Sequence, residues 1–144
     1  MKLIIFVAMK KITEAVSKLS NYMAQTEEQT KERINASGIT QTQMHYIEAV
    51  ADLANPTITE LAGILKITKP TVTVAIDKLV EKECIYRVKS DTDRRSAHLH
   101  LTEKGKELNQ LHHLAHITIA RALIKNLSQE EIDSFEKLVN KIVR

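Results

Sequence analysis

The sequence predicts a mainly α fold that carries one small β-hairpin. Three observations predict it. Three Gly and two Pro in 144 residues are too few for the many tight turns of a sandwich or barrel. Apolar residues recur at intervals of three and four through most of the chain, which is helical spacing. Only between residues 84 and 102 do two short runs alternate apolar and polar instead, which is strand spacing. A hydrophobic fraction of 43% excludes a wholly disordered chain. The length suits one compact domain, or a small domain plus an oligomerisation arm. The single cysteine, Cys84, excludes an intrachain disulfide framework and points to a reducing compartment.

The chain opens with seven apolar residues, 3–9, between lysines. A membrane span needs about twenty apolar residues, and an export signal needs small residues at a cleavage site. Neither pattern is present, so the expectation is a cytoplasmic protein without membrane partners. The run itself reads as helix or interface packing, or as an upstream extension with Met9 as initiator. From about 9 to 35, Ile12, Val16, Leu19 and Met23 share one helical face. Gly38 interrupts the pattern, and Thr40 or Thr42 can cap a second helix through its hydroxyl. That helix carries Met44, Ile47, Val50, Ala51 and Leu53 and stops at Asn55-Pro56.

Thr57 with Glu60 three residues on is a capping-box pattern. It opens a third helix in which Leu61, Ile64 and Leu65 are expected to face inward. Thr68 can cap a fourth, with Pro70 in the first turn, where its missing N–H costs nothing. Val72, Ile76, Leu79 and Val80 form the buried stripe of this helix, which runs to about Glu83. Residues 84–89 and 96–102 are the two strands, with Ala97, Leu99 and Leu101 on one face and His98 and His100 on the other. Residues 91–95 make a charged tip. A long helix to about Asn126 has the stripe Leu108, Leu111, Ala115, Ile119 and Ala122. Ser128 and Glu131 cap a last helix with Ile132, Phe135, Leu138, Val139 and Ile142 on one side.

The net charge of +3 is unevenly spread. Residues 66–106 hold ten Lys/Arg against six Asp/Glu, net +4, whereas 1–65 are net −1 and 107–144 neutral. Localised positive charge is the footprint of a polyanion partner, although a solvated basic face shows the same pattern. The order of elements decides between them. In a helix, short turn and helix, the second helix fits the major groove of duplex DNA. Here its first turn is Thr68, Lys69, Pro70, Thr71 and Thr73, with Val74 and Lys78 also turned outward. The hydroxyls can bond phosphates or base edges, and Lys69 neutralises phosphate. Arg94 and Arg95 at the hairpin tip can enter the minor groove or clamp phosphate. Asp91 or Asp93 is expected to pair with one of them and hold its direction.

From Thr40 to Leu108, and most of all over 71–79, 91–95 and Leu101-Thr-Glu-Lys-Gly105, the sequence resembles the MarR family of winged helix-turn-helix transcriptional regulators. Members that govern fatty-acid synthesis genes look similar too. The resemblance implies a homodimer that binds a pseudo-palindromic operator, usually as a repressor and not an enzyme. It divides the chain into an N-terminal dimerisation helix at 1–37, a DNA-binding lobe at 38–103 and C-terminal dimerisation helices at 104–144. It also matches Thr68, Lys69, Thr71, Thr73 and Lys78 to recognition-helix contacts, and Arg94 and Arg95 to wing contacts. Two departures stand out. Val74 occupies a position where many members carry Arg, which points to a different base preference, such as a thymine methyl. Glu83 stands where members usually have Gly, so it is strained in a left-handed conformation or ends the helix differently.

Five of the six histidines cluster, as His98 and His100 and as His112, His113 and His116. His112 and His116, four apart on a helix, have suitable spacing for one metal ion, with His45 a third candidate ligand. A zinc-responsive regulator using these three is one alternative reading; a protein-interaction module without DNA is another. No metal is expected as a fixed cofactor. By the family resemblance, a small-molecule effector would sit among Tyr22, Met23, His45, Tyr46, His112 and His116, where core packing is the competing explanation. Cys84 reads either as a redox switch or as a buried structural thiol.

Overall fold

A computed structural model describes residues 1–143. It holds six helices and one hairpin: α1 Lys2–Ala36, α2 Gln41–Asp52, α3 Ile58–Leu65, α4 Lys69–Glu81, β1 Ile85–Lys89, β2 Ala97–Leu101, α5 Glu103–Ile124 and α6 Gln129–Ile142. The chain divides into two compact units. One is Glu32–His113; the other joins Met1–Lys31 to the segment from Leu114 onward.

Local capping chemistry sets the helix boundaries. Thr40, Thr57 and Ser128 each accept the N–H of the third helical residue, and Gln43, Glu60 and Glu131 reach back to the cap N–H. These reciprocal pairs satisfy two orphan donors at each helix start. Thr40, not Thr42, is therefore the second cap. Thr68 caps α4 by accepting the Thr71 N–H, with no side chain reaching back, and Pro70 stands in the first turn.

The core of the Glu32–His113 unit is apolar. Ile47, Leu61, Val72, Ile76, Leu79, Cys84 and Leu99 are fully buried, joined by Met44, Val50, Ile85 and Leu108. The strands pair antiparallel with Ile85 opposite Leu101, Tyr86 opposite His100 and Arg87 opposite Leu99. Leu99 and Leu101 thereby enter the core, while His100 stacks on Tyr86 with ring centroids 5.3 Å apart. The segment before α3 is tied to the same sheet. Leu99 N–H donates to the Pro56 carbonyl at 2.8 Å, and His98 Nδ1–H donates to the Asn55 carbonyl at 2.9 Å.

In the other unit, α6 presents Phe135, Leu138, Val139 and Ile142 to solvent within a single chain. The start of α1 does the same with Leu3, Ile4, Phe6, Ile12 and Val16. The α5 stripe differs, since Ala115 and Ile119 are buried.

Two expectations need correcting. α1 begins at Lys2, not near residue 9. The seven-residue apolar run has no polar face to reveal a helical period, yet its Leu, Met and Ala are good helix formers with no breaker among them. Ile64 is 64% exposed rather than inward-facing. At about 100° per residue, Ile58, Leu61, Ala62 and Leu65 define the buried arc, and Ile64 falls roughly 110° from its centre.

Glu83 does take the left-handed conformation, with φ of +60°. Its N–H donates to the Val80 carbonyl and the Cys84 N–H to the Leu79 carbonyl, both at 2.9 Å. This is the bonding pattern of a Schellman motif, which favours glycine at that point. Glu83→Gly is accordingly expected to stabilise the chain by about 0.5–1 kcal/mol, by relieving the Cβ clash and despite the added freedom of the unfolded chain. A higher urea midpoint at unchanged slope is the measurement that checks it.

Candidate nucleic-acid interface

α4 is held by one face and open on the other. Val72, Ile76 and Leu79 have no exposed surface, and intervals of four and three place them on one side. At the helix start Thr68, Lys69, Pro70 and Thr71 are exposed; farther along, Thr73 is half-buried, Lys78 is exposed and Val74, on the side away from the stripe, is 55% exposed. Every residue expected on the outer side of this helix is therefore reachable, and none lies in the core.

The hydroxyls are oriented before any partner arrives. Thr68 Oγ1 and Thr71 Oγ1 lie 2.8 Å apart and share one proton between them. The pair thus keeps one hydroxyl hydrogen to donate outward. Thr73 Oγ1 donates to the Lys69 carbonyl at 2.9 Å, which leaves it an acceptor with a methyl beside it. Such a group suits a base amino edge or a thymine methyl, and Val74 adds a second apolar contact. The Lys69 ammonium sits at the first position of α4, where the helix dipole also favours an anion.

The hairpin tip lies over residues 90–96. Ser90 Oγ accepts the Thr92 and Asp93 N–H groups, and the Ser90 N–H donates to the Ser96 carbonyl. Asp93 Oδ1 takes the main-chain N–H of Arg95 at 2.9 Å. Asp93 therefore shapes the turn through the backbone, and the expected pairing with a guanidinium of Arg94 or Arg95 is not formed. The reason is reach: an Asp accepts most readily from the N–H two residues on. Both arginines are exposed and remain available to phosphate.

A residue the sequence reading missed ties strand to helix. Arg87 Nη2 on β1 donates to Asp77 Oδ1 on α4 at 2.6 Å. Ten residues separate the pair across a turn, so no helical or strand period signals it. Asp77 would otherwise present an unpaired negative charge on the outer side of α4.

The histidines divide between the two units. His45 and His112 lie in the Glu32–His113 unit with rings edge-on and centroids 6.4 Å apart. Glu48, another residue missed from sequence, brings Oε2 to 3.4 Å from His112 Nε2. Its only sequence signal was position, three residues after His45 on the same helix. His116 belongs to the other unit, as do Tyr22 and Met23. Tyr46 is a core residue, 6% exposed. Cys84 is fully buried, and that burial pushes its thiol above the usual range despite the nearby Lys104 and Lys82. A raised thiol is a poor nucleophile, which favours the structural reading of Cys84.

Comparison with known proteins agrees with this geometry. The MarR family model matches residues 39–97. The transcriptional repressor MprA of Escherichia coli is 31% identical over 123 residues, spanning 81% of this chain and 67% of the relative. The HTH-type transcriptional regulator YsmB of Bacillus subtilis is 28% identical over 131 residues, 91% of this chain and 90% of the relative. Among solved structures, Streptococcus pneumoniae FabT in complex with DNA superposes with a TM-score of 0.76 at 29% identity, over 94% of each chain. A mutant MarR from E. coli, complexed with operator DNA, superposes with a TM-score of 0.64 over 96% of this chain and 98% of that one. At 23% identity that second likeness speaks for the fold alone.

Proposed function

The chain belongs to the MarR family, and on that footing we propose that it is a homodimeric, ligand-responsive repressor that binds a pseudo-palindromic operator. One observation carries the DNA-binding part: α4 buries Val72, Ile76 and Leu79 completely while its first turn and outer side leave threonines, lysines and Val74 open to solvent. MprA is itself a transcriptional repressor, and the FabT structure is a complex with DNA. In this reading α4 enters the major groove. Thr71, Thr73 and Val74 meet base edges, Lys69 and Lys78 meet phosphates, and Arg94 and Arg95 reach the backbone or minor groove from the wing.

The exposed apolar faces of α1 and α6 support a dimer. A large aliphatic side chain moved out of water contributes roughly 1.5–3 kcal/mol, so the row of such residues named above, left in solvent, would be a costly surface. Two α4 helices would then read half-sites about 34 Å apart. An effector that favours another separation would weaken binding by population shift. The activity is binding rather than catalysis. Among the described residues no helix is long and apolar enough to cross a membrane, and we place the protein in the cytoplasm beside its DNA.

The test is a gel shift with the duplex upstream of the chain's own gene and a scrambled duplex of equal length. Selective retardation of the first, by a species that elutes as a dimer, is the expected result. Equal affinity for both duplexes across the promoter region, or a monomer at micromolar concentration, would sink the reading.

A further inference from the structure

Besides the Asp77–Arg87 pair to β1, the C-terminal end of α4 is held from two further directions. On one side is the start of α2. The Lys82 ammonium donates to the Gly38 carbonyl and, at 2.9 Å, to Gln43 Oε1. Gln43 Oε1 also accepts the Thr40 N–H at 3.0 Å, so one amide oxygen both completes the α2 capping box and receives Lys82. On the other side is the start of α5. The Lys82 carbonyl accepts the Lys104 ammonium at 2.8 Å, and the Glu83 carbonyl accepts the Thr102 hydroxyl at 2.6 Å. Thr102 Oγ1 in turn accepts the Gly105 N–H at 3.1 Å.

The apolar stripe of α4 fixes which face of the helix is down. It does not fix tilt as well, because apolar contact is non-directional. Directional bonds at one end do. α4 has no comparable long-range bond at its N-terminal end, where Thr68, Thr71 and Thr73 bond only within the helix. Lys82 is half-buried, and its Nζ reaches residues 39 and 44 positions away.

We propose that Lys82 is a positioning residue for DNA recognition: its ammonium, seated on Gly38 and Gln43, sets the tilt at which α4 presents Thr71, Thr73 and Val74. The proposal rests on the DNA-binding reading above. Lys82 touches no DNA in this account. Breaking its seat lets α4 sample several tilts, and apparent affinity falls with the fraction of time spent in the competent one.

Three variants separate this role from others. Lys82→Met keeps the aliphatic stem and removes both bonds. Lys82→Arg can still donate to Gly38. Gln43→Leu keeps the ammonium and removes its amide seat. Affinity for the upstream duplex and for a scrambled duplex is measured at several salt concentrations. The wild-type chain tests the DNA-binding reading; the ratio of variant to wild type tests the role of Lys82.

The expected result for Lys82→Met is about a tenfold loss on the specific duplex, which corresponds to about 1.4 kcal/mol over the two protomers together. The salt slope and scrambled-duplex affinity should stay as in wild type. Lys82→Arg should regain most of the loss, and Gln43→Leu should show part of it. A slope reduced by about one for each protomer would identify a phosphate contact instead. That outcome, or specific affinity unchanged in both Lys82→Met and Gln43→Leu, overturns the proposal. Should Lys82→Met fail to fold, Gln43→Leu decides alone by the same two readouts.

Discussion

Replacing Gly105 by alanine is expected to destabilise the protein by about 3 kcal/mol, the upper part of the range for forcing extra volume into a packed site. A Cβ built at Gly105 would stand 2.2 Å from the Cys84 carbonyl oxygen and 3.2 Å from its carbon. Both are backbone atoms, so no side chain can swing aside. The Cys84 carbonyl is also fixed by the Thr102 N–H at 3.0 Å, and the neighbouring Glu83 carbonyl by the Thr102 hydroxyl. Relief therefore requires α5 to lift away from the turn that ends α4. Gly63→Ala is the matched control. Gly63 lies inside α3 with open space where its Cβ would go, and alanine there should add up to about 1 kcal/mol through helix propensity. Urea unfolding of the two variants should move the midpoint in opposite directions. A Gly105→Ala protein as stable as wild type would show that α5 and the Cys84 turn do not pack as described.

The contrast between these glycines shows what a sequence can and cannot reveal here. Capping residues are local: Thr57 with Glu60, and Ser128 with Glu131, announce helix starts within three positions, and both boxes form as read. The stripe of α4 follows from periodicity alone, because that helix buries one face against a single core. The left-handed Glu83 was one of two alternatives left open, and it came from the family resemblance, in which glycine usually stands at that point, rather than from spacing. What joins distant segments was not. Lys82 reaches across 39 and 44 residues, Lys104 across 22, and Glu48 meets His112 across 64 positions. Nothing in the spacing of apolar residues marks such bonds. Asp93 illustrates the opposite error. Opposite charges placed beside each other suggested an ion pair, but the nearer main-chain N–H of Arg95 took the carboxylate first. The outer residues of α4 were legible because the stripe defines them by exclusion. The tilt of that helix was not, because it depends on Gly38 and Gln43.

The salt dependence of operator binding offers the sharpest test of which residues meet the phosphates. Lys69→Ala and Arg94→Ala should each weaken binding and flatten the slope of log affinity against log salt. Each phosphate contact releases about 0.9 of a condensed counterion, and in a dimer each substitution removes two contacts. The slope should therefore shallow by roughly 2 for either variant and roughly 4 for the pair. Between about 50 and 200 mM salt, a slope shallower by roughly 2 makes the wild-type advantage vary about sixteenfold, largest at low salt. Neither residue is engaged by an acid. Among the described residues the lysine and arginine ion pairs are Arg87 with Asp77 and Lys106 with Glu103. Truncating Lys69 or Arg94 should for that reason leave folding stability within about 0.5 kcal/mol. Thr71→Val and Val74→Ala give the complementary signature, because base-edge contacts carry sequence discrimination but little counterion release. They should narrow the gap between specific and scrambled duplexes at an unchanged slope. If Lys69→Ala and Arg94→Ala kept the wild-type slope, the basic groups at the start of α4 and at the hairpin tip would not lie on the phosphates. The orientation assigned to the lobe on DNA would then be wrong.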